Sequence, residues 1–326
     1  MNGMDTGITI TTQTYNRADE LRQTLRSLSK IDTRGVPAYE VLVVDNNSQD
    51  DTPEVVEEFS SAFNGCLRYV REAQQGLSHA RNRAIAEARY DIVAFLDDDV
   101  EVDKEWLRNL AAAYDSGDYA AIGGSAHLVY SCQKPRWLEG RAERFLSKVD
   151  CGPFRRLVEP DEICGVNFSV KKEWLTRVGS FRTDLGRMGA VLLGSEETDL
   201  LERVAQAGGT VLYEPGAVVG HRVSPSRLQR RWFWGRCYWG GRGQARSLPE
   251  SQITCYEVLR ATWHVALMGA RILRSALSYG PRSSEPFFHT QNLASCLGFW
   301  VEFLGRLSKR IRPSESPQAP VESLTS

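Results

Sequence analysis

Apolar residues follow two rhythms along the first hundred positions. Short runs, "ITITT" (8–12), "YEVLVVD" (39–45), "LRYVRE" (67–72) and "DIVAFLD" (91–97), alternate with stretches where they return every three or four residues. Those stretches are "RADELRQTLRSLSK" (17–30), "TPEVVEEFSSAF" (52–63) and "GLSHARNRAIAEA" (76–88). The first rhythm predicts strands and the second amphipathic helices. The near-continuous apolar run at 39–45 fits a strand covered on both faces. Thr52 and Pro53 read as N-cap and first residue of the second helix. Strand and helix in strict alternation imply an α/β fold, a mostly parallel sheet flanked by helices.

The middle of the chain is less regular. "KEWLRNLAAAYDS" (104–116) is helical and "YAAIGGSAHLVY" (119–130) strand-like, and "GVNFSVKKEWLTRVGSF" (165–181) reads as strand, helix and Gly turn. "GSEETDLLERVAQAGG" (194–209) predicts an amphipathic helix with an acidic first turn and a glycine stop. "TVLYEPGAVVGH" (210–221) predicts two short strands about a Pro-Gly turn. Beyond 222 the character changes. "RRWFWGRCYWGGRGQAR" (230–246) mixes arginine, aromatic residues and glycine, and 255–279 and 293–312 predict arginine-bearing amphipathic helices. The expected units are therefore 1–222, a basic, aromatic helical extension at 223–312, and a Pro/Ser-rich disordered tail at 313–326. The extension reads equally as helices in a membrane interface and as a helical subdomain on the main domain.

Composition changes this picture little, and charge changes it more. The chain has 326 residues, 42% apolar and 25% charged, with a net charge of −1, as in soluble globular proteins. No nucleic-acid partner is expected from that balance. Residues 223–312, however, carry 14 Lys/Arg against 4 Asp/Glu, leaving the remainder acidic. An anionic partner for that third, including an anionic membrane surface, is one expectation; a solvated basic face is the other. The seven cysteines are dispersed and never paired as CxxC, which argues for reduced thiols. With no signal-like start and no long apolar run, a cytoplasmic location is expected, with peripheral contact to the inner face of the plasma membrane.

In parallel sheets ligands bind at the carboxyl ends of strands, so the strand ends carry the candidate chemistry. They read "TTQTYNR", "VVDNNSQDDT" and "FLDDDV". Three adjacent carboxylates repel one another unless a cation or donor groups sit among them, and hard divalent ions take such oxygen ligands. Two enzyme classes fit. An aspartyl phosphohydrolase of the haloacid dehalogenase type would use the first aspartate as nucleophile, but strands precede the motif here and no Asp-Asp pair follows Asp99. A nucleotidyltransferase would need a Gly-rich loop after the first strand, which "TTQTYNR" lacks.

The second class is a nucleotide-sugar transferase. "TYNRADEL", "VVDNNSQDDT", "GLSHARNRAI", "FLDDDV", "GSEETDLLERV" and a late "GH", in that order across about residues 6–222, resemble family 2 glycosyltransferases of GT-A fold. The resemblance implies an inverting transfer from a nucleoside-diphosphate sugar, a UDP-sugar foremost, to a sugar or lipid-linked acceptor in cell-surface polysaccharide or glycolipid synthesis. It also implies a divalent metal, Mn2+ or Mg2+. Gln13, Tyr15 and Arg17 would line the base pocket, although relatives often carry Pro or Thr at position 13. Asp45 would hold base or ribose, Arg81 would face the nucleotide, and Asp97 and Asp98 would meet ribose and sugar. Asp99 would ligate the metal, with His221 reaching metal or diphosphate. Glu197, with Glu196 before it, would supply the catalytic base. Trp137 reads as core packing or as a sugar-stacking face. A non-catalytic nucleotide-sugar-binding protein of the same fold stays open as an alternative.

Overall fold

A computed structural model describes residues 7–311, apart from 139, 190, 253 and 280–283. Four parallel strands form its first half: β1 (Gly7–Thr14), β2 (Ala38–Asp45), β3 (Leu67–Arg71) and β4 (Ile92–Asp97), in the order β3-β2-β1-β4. Helices α1 (Ala18–Leu28), α2 (Thr52–Glu58) and α3 (Leu77–Glu87) make the crossovers. Successive side chains of a strand point to opposite faces, so an unbroken apolar run serves two layers. Val41 and Val43 accordingly join one core with Leu21 and Leu25, while Leu42 and Val44 join another with Ala80 and Ala84. The second helix differs from expectation in its cap. Thr52 lies inside it, and its hydroxyl donates to Asp50 Oδ1 at 2.6 Å instead of closing the helix end.

The second half is mixed. After β5 (Val100–Val102) and α4 (Trp106–Asp115), β6 (Ala121–Tyr130) and β8 (Asn167–Lys171) extend the sheet, β8 running antiparallel to β4. The short β7 (Arg156–Leu157) lies along β9 (Val211–Val223). The helices here are α5 (Lys172–Val178) and α6 (Glu196–Gln206). The Pro-Gly turn expected at 215–216 is a bulge within one strand. The register of β6 on β9 jumps at Gly124/Ser125, Glu214 Oε1 accepts the Gly216 N–H at 2.8 Å, and Asn109 Nδ2 donates to the Gly216 carbonyl. A paired β6 on one side and these side-chain bonds on the other satisfy the backbone where a turn would otherwise have left it.

Three helices follow: α7 (Arg230–Ser247), α8 (Cys255–Tyr279) and α9 (Ser284–Ile311). Phe233 of α7 is fully buried with Leu138, Leu146 and Phe287, so α7 is part of the molecule's interior. Gly241 and Gly298 let α7 and α9 touch backbone to backbone: a Cβ on either would strike the other helix's carbonyl. Glu302 accepts from Arg242 and Arg246 across the same contact. Trp137 packs edge-on against Phe233 and Phe287 at 5.1 and 4.6 Å, a core position. No helix among the described residues is long and apolar enough to cross a membrane. The tail expected to be disordered, 313–326, lies outside the described residues.

Candidate active site

The parallel strands place their polar ends side by side. Gln13 of β1 is in register with Asp97 of β4, and Thr14 with Asp45 of β2. The loops after β1 and β2 each turn on an asparagine in the left-handed region, Asn16 (φ 51°) and Asn47 (φ 68°). Asn tolerates that conformation better than most side chains, so "TYNR" and "DNNS" fold as tight turns at the sheet edge. The chain reverses after Asp97, and β5 then pairs with β9 so that Val100 faces His221. That pairing carries the histidine to the aspartates from 122 residues away in the chain.

Together these ends wall a cavity of about 480 Å³. Gln13, Tyr15, Arg17, Arg81, Asp97, Asp98, Glu196 and Glu197 line it, all of them singled out in the sequence. Asp45 is buried behind this wall, its carboxylate taken by the Ser48 N–H (2.8 Å) and the Tyr69 hydroxyl (2.6 Å), while its neighbour Asn46 lines the cavity.

The three aspartates are held differently. Asp98 accepts from Thr14 Oγ1 at 2.8 Å and from Arg17 Nη1 at 2.5 Å. Burial pushes its carboxyl up to about 6; Arg17 opposes the shift and Asp99 adds to it. Asp99 is as deeply buried, and burial would raise it, but the charges of Arg227 and Arg17 pull it below the usual range. Its Oδ2 meets Arg17 Nη2 at 2.8 Å and Arg227 Nη2 at 3.1 Å. Its Oδ1 is buried without a hydrogen-bond partner and lies 3.3 Å from His221 Nε2.

That orphaned oxygen tests the metal expectation. His221 Nδ1 lies 2.7 Å from the Leu146 carbonyl, which can only accept, so Nδ1 carries the proton and a neutral ring keeps its Nε2 lone pair free. Nε2 and Asp99 Oδ1 are then two electron-rich atoms in contact, and they require positive charge between them. Here Arg227 Nη1, 3.0 Å from Nε2, contributes it. Asp97 brings a third ligand atom, with all three within 4.8 Å of one another. Two carboxylates, an imidazole and a backbone carbonyl fixing the tautomer fit a divalent metal.

Opposite, Arg81 links the two acidic motifs. Its guanidinium is buried in a slot of Phe95, Phe168 and Phe181, with Nη1 on Glu196 Oε1 at 2.9 Å and Nη2 3.8 Å from Asp97. Glu196 is buried, its Oε2 has no partner, and burial followed by the charge of Glu197 pushes it up to about 7 against Arg81. Glu197 is half-buried, faces the cavity and accepts the Gly165 N–H at 3.1 Å. Gly165 is required there: a Cβ would lie 2.7 Å from Arg81 Nη2 and 3.2 Å from Glu197 Oε1. Both glutamates start α6 after Ser195, itself left-handed at φ 78°.

Sequence reasoning missed Gly165, Arg187 and Arg227, which line the same wall. Arg236, in the arginine-rich stretch 230–246, lines it as well, whereas Arg230 stacks on Phe287 at 4.8 Å. For Arg227 and Arg236 the surplus of arginine after 222 was the one signal; Gly165 and Arg187 lie before it.

Known proteins with related sequences and structures identify the family and the fold. The family described as Glycosyl transferase family 2 matches residues 9–179. The succinoglycan biosynthesis protein ExoM of Rhizobium meliloti (strain 1021) is 29% identical over 259 residues, 79% of each chain. A glucosyl-dolichyl phosphate glucuronosyltransferase of Haloferax volcanii is 25% identical over 243 residues, 73% of this chain and 75% of its own. Chondroitin synthase of Escherichia coli is 35% identical over 257 residues, 68% of this chain and 35% of its own. Among solved structures, the mannosyltransferase PcManGT from Pyrobaculum calidifontis, in complex with GDP-Man and Mn2+, superposes with a TM-score of 0.56. It is 21% identical, covering 94% of this chain and 88% of its own. GalNAc-T7 with UDP, GalNAc and Mn2+ gives 0.54 at 18% identity, over 76% and 52%. The fold shared with them is the GT-A fold expected from the motifs. The match over more than half of the chain shows that the protein is a glycosyltransferase and belongs to glycosyl transferase family 2.

Proposed function

We propose that this glycosyltransferase is a metal-dependent, inverting enzyme that moves a sugar from a nucleoside-diphosphate sugar to an acceptor hydroxyl, in polysaccharide or glycolipid assembly. The observation that carries the reading is the Asp97–Asp99–His221 cluster, with its orphaned Asp99 oxygen: Asp99 and His221 are buried behind a wall where Asp97 lines the same cavity as Glu197. Asp97, Asp99 and His221 would hold the metal, which would neutralise charge developing on the leaving diphosphate. Gln13 and Tyr15 border the nucleotide, Asp98 with Arg17 borders ribose and sugar, and Arg227 adds a cation at the diphosphate. Glu197 takes the acceptor proton as the hydroxyl attacks the anomeric carbon, and the bond from that carbon to the nucleoside diphosphate breaks, the diphosphate leaving from the opposite face of the sugar. Glu196 is a positioning residue, its carboxyl committed to Arg81.

Two named relatives act in succinoglycan and chondroitin synthesis and a third on a glucosyl-dolichyl phosphate, which supports a polysaccharide or lipid-linked acceptor. The solved neighbours hold UDP and GDP-Man respectively, so they support a nucleoside-diphosphate donor without singling out UDP. Hydrolysis and transfer assays across UDP-, GDP- and dTDP-sugars with Mn2+ or Mg2+ test the reading. A protein that binds and turns over none of them, with or without metal, defeats it. Peripheral attachment to an anionic membrane belongs to the same reading and is supported by an exposed apolar stripe on α8.

A further inference from the structure

The cavity contains more positive charge than its metal-binding end uses. Arg17 and Arg227 are both paired with the aspartates. Arg187, in the segment between α5 and α6, and Arg236, on α7, also line the wall. Among the described residues, neither has a carboxylate within ion-pair distance. Arg236 Nη1 reaches only the Leu192 carbonyl at 3.3 Å, and its Nε is buried without a partner. A guanidinium partly withdrawn from water with no carboxylate at ion-pair distance is costly, and such a group suits an incoming anion.

Arg236 is also fixed in place. Its neighbours Phe233 and Cys237 are buried, and Gly243 lets α7 settle on the Gly194–Ser195 turn, where a Cβ would lie 2.8 Å from the Gly194 carbonyl. Gly194 leaves the guanidinium room, a Cβ there lying 3.0 Å from Arg236 Nη1. The surroundings of the arginines divide. Arg227 feels Asp99, Arg187, Arg17 and Asp97; Arg236 feels Arg187, Glu197, Cys164 and Glu196. Burial first, then Arg187, lowers the proton affinity of Arg236. The geometry places both arginines by the start of α6: Gly194, against Arg236, immediately precedes Ser195 and the two glutamates, and a Cβ on Gly186, next to Arg187, would lie 3.5 Å from Glu196 Cδ.

We infer that Arg187 and Arg236 form an oxyanion subsite beside Glu197 that receives a carboxylate or phosphate carried by the acceptor. This rests on the reading of Glu197 as the acceptor-side base: whatever hydroxyl reaches that carboxylate brings its substituents under the two guanidiniums. A guanidinium fork binds such groups with two parallel hydrogen bonds. The subsite selects uronic-acid or sugar-phosphate acceptors over neutral ones.

The test is isothermal titration of the full chain loaded with Mn2+ and UDP or GDP, using glucuronate, glucose 1-phosphate and glucose as probes. One or both anionic probes should bind and glucose should not, and which of the two binds separates carboxylate from phosphate. Arg236→Met and Arg187→Met should each weaken that probe by about tenfold or more, the size of one lost charged hydrogen bond. Nucleotide affinity should stay within about twofold. Arg187 lies in a connecting segment, so its variant keeps the test valid if Arg236→Met fails to fold. Asp99→Asn should lose metal-dependent nucleotide binding and keep the anionic probe. No binding of either anion by the wild type overturns the inference. So does a loss confined to nucleotide, which assigns the pair to the donor diphosphate, or a selective loss of UDP-glucuronate over UDP-glucose, which assigns it to the donor sugar. If the wild type binds no nucleotide, the donor reading fails, and the same titration without nucleotide still decides the subsite.

Discussion

At the residue scale the neighbouring glutamates are separated by their surroundings. Both line the cavity, but Glu197 is half-buried with one backbone donor, whereas Glu196 is buried with its Oε1 taken by Arg81. Glu197→Gln should cut turnover by about 10²–10⁴, the usual worth of a general base, while metal-dependent nucleotide binding persists. Rate loss accompanied by equal loss of nucleotide affinity would move Glu197 to the donor side. Glu196 yields a different signature. Its folded value, about 7, lies above the ordinary 4.5, so the folded chain holds this proton more tightly than the unfolded chain. The stability it contributes is full below about 4.5 and is lost as pH rises through about 7. Glutamine resembles the protonated form at every pH. Thermal unfolding from pH 4.5 to 8 should therefore show Glu196→Gln gaining on the wild type as pH rises, and a constant difference would contradict the burial argument.

At the element scale, helix contacts made by missing side chains are the vulnerable points. Gly241 and Gly298 each abut the opposite helix's backbone, which cannot give way as a side-chain tip can. Gly298→Ala should cost about 1–3 kcal/mol through overpacking, read as a lower Tm, whereas Gly269→Ala on α8, with open space around it, should stabilise slightly. The same elements show what was legible beforehand. Periodicity located all four parallel strands and the helices between them, because each is a local pattern buried on a defined face. The bulge in β9 was not legible as such, since Pro215–Gly216 reads as a turn unless the pairing with β6 is known. The aspartate block of Asp97 and Asp99 was legible as repelling carboxylates at a strand end, whereas His221 and the two glutamates were picked out only through the ordered motifs. Gly165, Arg187 and Arg227 were not, since a glycine or arginine is ordinary in a loop until another segment brings it a neighbour. Arg236 illustrates the limit: its chemistry depends on α7 packing onto the turn before α6, a contact between residues more than 40 positions apart.

At the scale of the whole molecule, the remaining asymmetry is on α8. Tyr256, Leu259, Trp263, Leu273 and Leu277 are all exposed, Trp263 to 65% and Leu277 to 80%. At about 100° per residue they fall on one stripe, which Ala266 and Ala270 continue and Arg260, Arg271 and Arg274 border. An apolar face of this length left in water is unfavourable, and aromatic residues with arginines at its edge match the acyl–headgroup boundary of an anionic bilayer in both polarity and charge. The full chain should therefore float with vesicles containing phosphatidylglycerol and remain below with pure phosphatidylcholine. High salt should release part of it, because the arginine contribution is screened while the apolar contribution is not. Leu273→Glu with Leu277→Glu should abolish flotation at unchanged Tm, since both side chains already face solvent. Arg271→Glu with Arg274→Glu should remove only the preference for anionic lipid. A wild type that stays at the bottom with anionic vesicles at low salt would end the membrane assignment. In that case a second copy of the chain becomes the occupant to seek, by measuring whether the double leucine variant changes the sedimentation coefficient.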